Sequence, residues 1–76
     1  MENVRIEDIQ KIIATHLEKT EVAPSDRLKE DLKAEEADIM NILATIENQY
    51  DIVVEENDLM RLKSAKDLVK YVFAKM

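Results

Sequence analysis

The first quarter of the chain carries apolar residues at the three- and four-residue spacing of a helix. They are Ile6, Ile9, Ile13 and Leu17, and they share one face at 3.6 residues per turn. The pattern predicts a helix from about Val4 to Lys19. His16 projects onto the same face. Because the sequence has no second histidine and no cysteine to complete a metal or catalytic site, we expect His16 to lie at the edge of the core.

A second, stronger stripe predicts a helix from about Glu36 to Tyr50. Its apolar residues are Ile39, Ile42, Leu43, Ile46 and Tyr50. The opposite face carries Asp38, Asn41, Thr45 and Asn48. This helix is therefore expected to turn its apolar stripe to the core and to present a polar outer face.

The connection between these two helices is long and mostly polar. It holds the only proline, Pro24, which is followed by Ser25 and Asp26 in a sequence typical of a turn. Leu28 and Leu32 are apolar residues in this polar surrounding. We expect them to pin the connection to the helices.

Two more helices are predicted after Tyr50. Residues 52–54 have strand-like composition, but no partner strand is available and a connector is expected. Residues 55–62 are long enough only for a short helix. Ser64, with Asp67 three residues later, is an N-cap signal for a last helix. The inner face of that helix is expected to comprise Leu68, Val69, Val72 and Phe73.

The pattern and the composition together predict a single all-α domain over residues 1–76, with three longer helices and one short one. Hydrophobic residues make up 46% and aromatic residues only 4% of the chain, so the core should be aliphatic. The absence of cysteine excludes disulfides and thiolate chemistry, and the absence of glycine excludes a Gly-rich phosphate loop and an EF-hand. No apolar run reaches the roughly 18 residues of a membrane span, and the start is no signal peptide, so a cytoplasmic protein is expected.

Charge is spread unevenly along the chain. Residues 30–58 carry ten acids and one lysine, a net charge of −9, whereas residues 59–76 carry a net charge of +4. The acidic middle repels phosphate backbones and argues against nucleic-acid binding. Basic protein surfaces are the expected partners, and the alternative is that the acids only keep a small protein in solution.

The order and lengths of the helices, together with four short motifs, resemble the acyl carrier protein family, whose fold peptidyl carrier domains share. The motifs are Asp31-Leu32 before the second helix, the acidic middle, the I-x-x-x-Y-D ending from Ile46 to Asp51, and the tail SAKDLVKYV. The resemblance implies a small four-helix bundle that carries an acyl chain on a phosphopantetheine arm. In that family the arm is attached to a serine at the start of the second helix, in an Asp-Ser-Leu motif.

The residues that match this motif are Glu35, Glu36 and Ala37, followed by Asp38, which agrees with the family. The attachment position is therefore Glu36, and Lys33 stands where the family has a glycine. A carboxylate cannot replace the hydroxyl that attacks the pyrophosphate of coenzyme A. We therefore expect no phosphopantetheine cofactor, whether the serine was lost naturally or exchanged by a single engineered substitution.

Neither of the two serines in the chain is a substitute. Ser25 lies eleven residues upstream in the loop, and Ser64 is explained as a helix cap. The acids at the start of the second helix also have a plain structural explanation, because Glu35 and Glu36 face the positive end of the helix dipole. The alternative is that Glu36 places negative charge where the phosphodiester would lie and so imitates a loaded carrier.

The sequence leaves three classes of function to compare. The first is a protein-interaction or regulatory module, not pantetheinylated, near acyl- or peptidyl-transfer enzymes. The second is a genuine acyl carrier protein of fatty acid or polyketide synthesis. The third, an enzyme, is disfavoured because no nucleophile, metal site or paired acid and base is evident. We expect a monomer that binds partners through Glu35, Glu36, Ala37, Asp38, Met40, Asn41, Glu47, Glu55 and Glu56, with no catalytic residue, no metal, no membrane and no nucleic acid.

Overall fold

Three α-helices and one short 3₁₀ helix make up the regular structure of residues 3–76, the part of the chain that the computed structural model describes. They are α1 (Ile6–Leu17), α2 (Glu36–Tyr50), the 3₁₀ helix (Glu56–Arg61) and α3 (Ala65–Lys75). Within this part of the chain there is no β-strand, and Arg27 and Ser64 form one isolated antiparallel bridge. The predicted all-α bundle, with its long loop after the first helix, is confirmed.

The predicted bounds of α2 are confirmed, whereas those of α1 are two residues too long at each end. Arg5 is extended backbone and precedes the first helical residue. At the other end Glu18 is left-handed, with a φ of 55°, and the N–H of Lys19 donates to the carbonyl of Ala14 at 2.9 Å. This closure ends an α-helix, and the spacing of apolar residues does not reveal it.

One aliphatic core holds the helices and the long loop together. Its buried members are Ile9, Ile12, Ile13, Val22, Leu28, Leu32, Ala34, Ile42, Leu43, Ile46, Leu62, Ala65, Leu68 and Val72. The expected stripes of α1 and α2 therefore meet in the middle of the molecule. Burial of this apolar surface is the main stabilising contribution in a chain of this size.

The long loop is fixed to the start of α3. Leu28 and Leu32 are buried, as the sequence predicted. The backbone N–H of Leu28 donates to the carbonyl of Lys63 at 2.8 Å, and the N–H of Lys66 donates to the carbonyl of Pro24 at 3.0 Å. The loop thus has a defined path, and it brings Lys29 beside the front of α2.

The cap of α3 is confirmed, but one residue of its predicted inner face is wrong. Ser64 and Asp67 form a reciprocal capping box, in which the Ser64 N–H donates to the Asp67 carboxylate at 3.2 Å. The buried residues of α3 are Ala65, Leu68 and Val72. Phe73 follows Val72 by about 100° around the helix, leaves this stripe and is 72% exposed.

His16 lies at the edge of the core and joins α1 to α2. Its Nε2 is 2.8 Å from Oγ1 of Thr45, whose hydroxyl donates to the carbonyl of Asn41 at 3.0 Å. Because the hydroxyl proton is already used, Nε2 of His16 is the donor. The expectation that Thr45 faces outward is therefore wrong, since it is half-buried and turned toward α1.

Candidate functional site

The front of α2 is formed by a group of acids. Glu35 is the N-cap in extended conformation, and its N–H donates to the Asp38 carboxylate at 2.9 Å. The carbonyl of Glu35 accepts from the N–H of Ile39 at 3.1 Å. Glu36 and Ala37 follow the cap and are exposed. Carboxylates at this position stabilise a helix by about 0.3–1 kcal/mol each through its dipole, so the plain structural explanation of these acids holds for the fold.

Glu36 is the first residue of α2, and its side chain is 85% exposed. Its Oε2 lies 3.7 Å from Nζ of Lys29, which is itself 61% exposed. Such a pair in water contributes little to stability. A carboxylate here can attract a cation or accept a hydrogen bond, but it offers no hydroxyl for transfer of a group.

The loop segment before α2 takes a backbone conformation that suits glycine. Lys33 has a φ of 58°, and the next residue, Ala34, is buried. The N–H of Ala34 donates to the carbonyl of Leu28 at 2.8 Å. The left-handed lysine therefore turns the chain from the loop into the start of α2, at the position where the resemblance expects glycine.

A groove of about 460 Å³ lies between the front of α2 and the 3₁₀ helix. Its apolar lining comprises Leu28, Ile39, Leu43, Leu59 and Leu62. Met40 and Met60 also line it and are 54% and 85% exposed. Of the residues predicted to bind partners, the groove brings together Glu36, Met40 and Glu56.

The structure uses two other predicted partner residues to hold the chain after α2. The Glu47 carboxylate accepts from the N–H of Val54 at 2.8 Å. The N–H of Glu55 donates to the Tyr71 hydroxyl at 3.2 Å, and its carboxylate pairs with Nζ of Lys75 at 3.3 Å. Glu47 and Glu55 therefore lie away from the groove lining and fix the connector to α2 and α3. The remaining predicted residue, Asn41, is exposed on α2.

Asp58 ties the 3₁₀ helix to α3. Its carboxylate accepts from the Tyr71 hydroxyl at 2.7 Å and also from the Arg61 guanidinium. Hydrogen bonds from Tyr71 and then from Arg61 hold the pKa of Asp58 below its usual value. Sequence reasoning gave Asp58 no role, because its partner Tyr71 lies thirteen residues further on, in another helix.

Four exposed residues of the groove were missed by the sequence analysis. They are Lys29, Glu30, Met60 and Lys63, which line it together with Glu36 and Glu56. Lys29 and Glu30 are in the loop, and only the tertiary structure brings them to α2. The one available sequence signal was the apolar pair Leu59 and Met60 in a short helix that is otherwise polar.

Among residues 3–76, no three His, Cys, Asp or Glu side chains are grouped closely enough to hold a metal ion. None of the helices in this part of the chain is both long and apolar enough to span a membrane.

Comparison with known proteins agrees with this architecture. A family model described as a phosphopantetheine attachment site matches residues 7–72. The chain is 30% identical over 71 residues to an acyl carrier protein of Exiguobacterium sp. strain AT1b, an alignment that covers 91% of this chain and 90% of that protein. Proteins of this family are carriers rather than catalysts, and the expectation that the chain is no enzyme is confirmed. The fold, the order of its elements and these two matches show that the chain belongs to the acyl carrier protein family.

Proposed function

We propose that this protein uses the carrier fold without a phosphopantetheine arm, as an interaction or regulatory module near acyl- or peptidyl-transfer enzymes. The observation that carries the proposal is the side chain of the first residue of α2. It is the exposed carboxylate of Glu36, where the resemblance to the family expects a serine. A carboxylate cannot attack coenzyme A in the way that a serine hydroxyl does.

The environments of the two serines support the same conclusion. Ser64 is 6% exposed, caps α3 and exchanges hydrogen bonds with Asp67. Ser25 is exposed in the loop after Pro24, within a turn rather than at the start of a helix. Neither presents a hydroxyl at the front of α2.

The expected partners are proteins with basic surfaces. Glu36 is exposed and negative, so its carboxylate can offer a basic partner surface the negative charge that a phosphodiester would offer there. Along the middle of α2 the exposed residues Asn41 and Asn48 are neutral. Charge-guided docking should therefore depend on the front of α2 more than on its middle.

A genuine carrier is the second candidate. The observation in its favour is that the matched region, residues 7–72, is described as a phosphopantetheine attachment site and includes position 36. In that case a phosphopantetheinyl transferase would modify the chain as it stands. Transfer of the arm to the protein therefore separates the two candidates.

The test is incubation with coenzyme A and a broad-specificity phosphopantetheinyl transferase, followed by intact-mass measurement. We expect no mass gain for the natural sequence, because no hydroxyl lies at the front of α2. Glu36→Ser should gain one phosphopantetheinyl group, and the matched control Glu35→Ser, one residue earlier, should gain none. If the chain without any substitution gained mass and the added group mapped to a serine, the second candidate would replace the first.

Partner recognition is tested by titration against carrier-binding transfer enzymes. Glu36→Ala should weaken binding about fivefold, which corresponds to about 1 kcal/mol, because an exposed charge is removed from the contact. Glu7→Ala is the matched control, since Glu7 is also an exposed acid in the first turn of a helix, α1. If the Glu36→Ala variant bound every such enzyme as tightly as the natural chain does, the hypothesis that Glu36 imitates a phosphodiester would be refuted.

A further inference from the structure

One exposed surface combines apolar and basic side chains on α3. Phe73 is 72% and Met76 54% exposed, and Val69, one turn before Phe73, is half-buried. Lys66 and Lys70 precede Phe73 by seven and three residues, so they lie on the same side of the helix. We call these five residues the α3 patch. An aromatic ring and a thioether beside two lysines suit a partner surface that is apolar and acidic.

The two lysines of the α3 patch are available for such a contact. Within residues 3–76, neither Lys66 nor Lys70 is in an ion pair, whereas Lys75 pairs with Glu55 on the other side of α3. Both lysines are also exposed. Their charges are therefore not neutralised by neighbouring acids.

The groove between α2 and the 3₁₀ helix is complementary to the α3 patch, because it presents apolar side chains beside carboxylates. Met40 and Met60 are exposed at its surface, and Glu30 and Glu56 line it without an ion-pair partner among residues 3–76. The other charged residues of the lining are the exposed pair Lys29–Glu36 and Lys63. Six of the twelve residues that line the groove, including all three of its acids, lie in the segment of net charge −9, whereas the whole α3 patch lies in the segment of net charge +4.

We propose that the protein associates head to tail, with the α3 patch of one molecule on the groove of the next. The contact places Phe73 and Met76 against Met40 and Met60, and the patch lysines near the carboxylates of Glu30 and Glu56. Because the two surfaces differ, each associated pair keeps one groove and one patch free, and assembly continues beyond the dimer. The interface is small, so single molecules predominate at micromolar concentration, in keeping with the monomer expected from the sequence.

Sedimentation velocity from about 10 µM to about 1 mM tests the proposal, a range that covers weak contacts. The mean mass of the natural chain should rise above that of a monomer at the upper end. Phe73→Ser should remain monomeric throughout. Val53→Ser is the matched control, because Val53 is also 72% exposed but lies outside both surfaces, and it should associate like the natural chain.

The role of charge is tested by two double variants that have the same net charge as each other. The double variant Lys66→Glu with Lys70→Glu should lose association. Its control, Lys11→Glu with Lys19→Glu, makes the same change in net charge on exposed lysines in and just after α1. If both double variants lose association equally, general repulsion rather than the α3 patch is responsible, and the proposal fails.

Mixing two variants tests the head-to-tail geometry. Phe73→Ser keeps an intact groove, and Met60→Ser keeps an intact α3 patch. Each alone should be monomeric at about 1 mM, and an equal mixture should form a dimer and nothing larger. The proposal would be overturned if the natural chain stayed monomeric. It would also be overturned if the natural chain associated but the mixture of the two variants stayed monomeric. Binding of the natural chain to phosphatidylserine vesicles that Phe73→Ser abolishes, in the absence of self-association, would overturn it as well, because the patch would then be a membrane contact.

Discussion

At the scale of single residues, the chain has no glycine, and yet three residues among 3–76 adopt glycine-like backbone. Glu18 and Asp51, which end α1 and α2, are left-handed and each have a φ of 55°. Lys33, in the loop before α2, is also left-handed, with a φ of 58°. A side chain with a Cβ is disfavoured in this region by about 1–2 kcal/mol. The surrounding hydrogen bonds therefore impose these conformations at a cost in stability.

Lys33→Gly should raise the free energy of unfolding by about 1 kcal/mol, because relief of the Cβ contact exceeds the entropy that glycine adds to the unfolded chain. Urea unfolding measures it. Lys33→Ala is the control, since it removes the same charge but keeps the Cβ, and it should leave stability nearly unchanged. Equal stabilisation by both variants would assign the effect to the lysine charge and not to the backbone.

At the scale of elements, the short 3₁₀ helix depends on its contacts with α3. It buries none of its residues fully, so it contributes little to the core. Its position is set by the half-buried Leu59, which packs against the core, and by polar contacts, of which the hydrogen bond from Tyr71 to Asp58 spans two elements. Since this helix forms one wall of the groove, that hydrogen bond also sets the shape of the candidate site.

The pKa of Asp58 gives this contact a pH dependence. Hydrogen bonds from Tyr71 and Arg61 lower the pKa in the folded protein, so the stabilisation is complete above the unfolded value of about 4. It is lost as the pH falls through the lower, folded value. The free energy of unfolding should therefore decline on acidification below about pH 4. The lowered pKa of Asp31, which accepts hydrogen bonds from Arg27, acts in the same direction.

Tyr71→Phe isolates the contribution of Asp58. This variant should be less stable than the natural chain at pH 7, and the difference should narrow as the pH falls below about 4 and through the lowered pKa of Asp58. Urea midpoints at pH 7 and at a series of lower pH values measure the change. A difference that stays constant with pH would contradict the assigned role of Asp58.

At the scale of the whole molecule, one aliphatic core and a strong charge asymmetry define the protein. The core joins residues from all three α-helices and the loop, so its parts cannot be stable separately. Residues 30–58 are strongly acidic and residues 59–76 are basic, so one small protein carries two segments of opposite charge. That asymmetry is the common basis of the proposed binding of basic partners and of the proposed head-to-tail association.

Much of the fold could be predicted from local patterns. The spacing of Ile39, Leu43 and Ile46 placed α2, and Ser64 with Asp67 placed the start of α3. Errors arose where the outcome depended on neighbours in space. Phe73 has the hydrophobicity of a core residue, but the direction of α3 turns it to solvent. The candidate site was predicted at Glu36, whereas its groove was not, because loop and helix residues far apart in sequence form it.

The sequence by itself determined the helical periodicity, the side chain at the first residue of α2 and the opposite charges of two segments, since these depend only on the order of residues. The tertiary structure alone decided that Lys29 reaches Glu36, that Thr45 turns toward His16, and that Met40 and Met60 share a groove. Each of these depends on the relative placement of separate elements. That placement is fixed by packing of the common core, which no local pattern specifies.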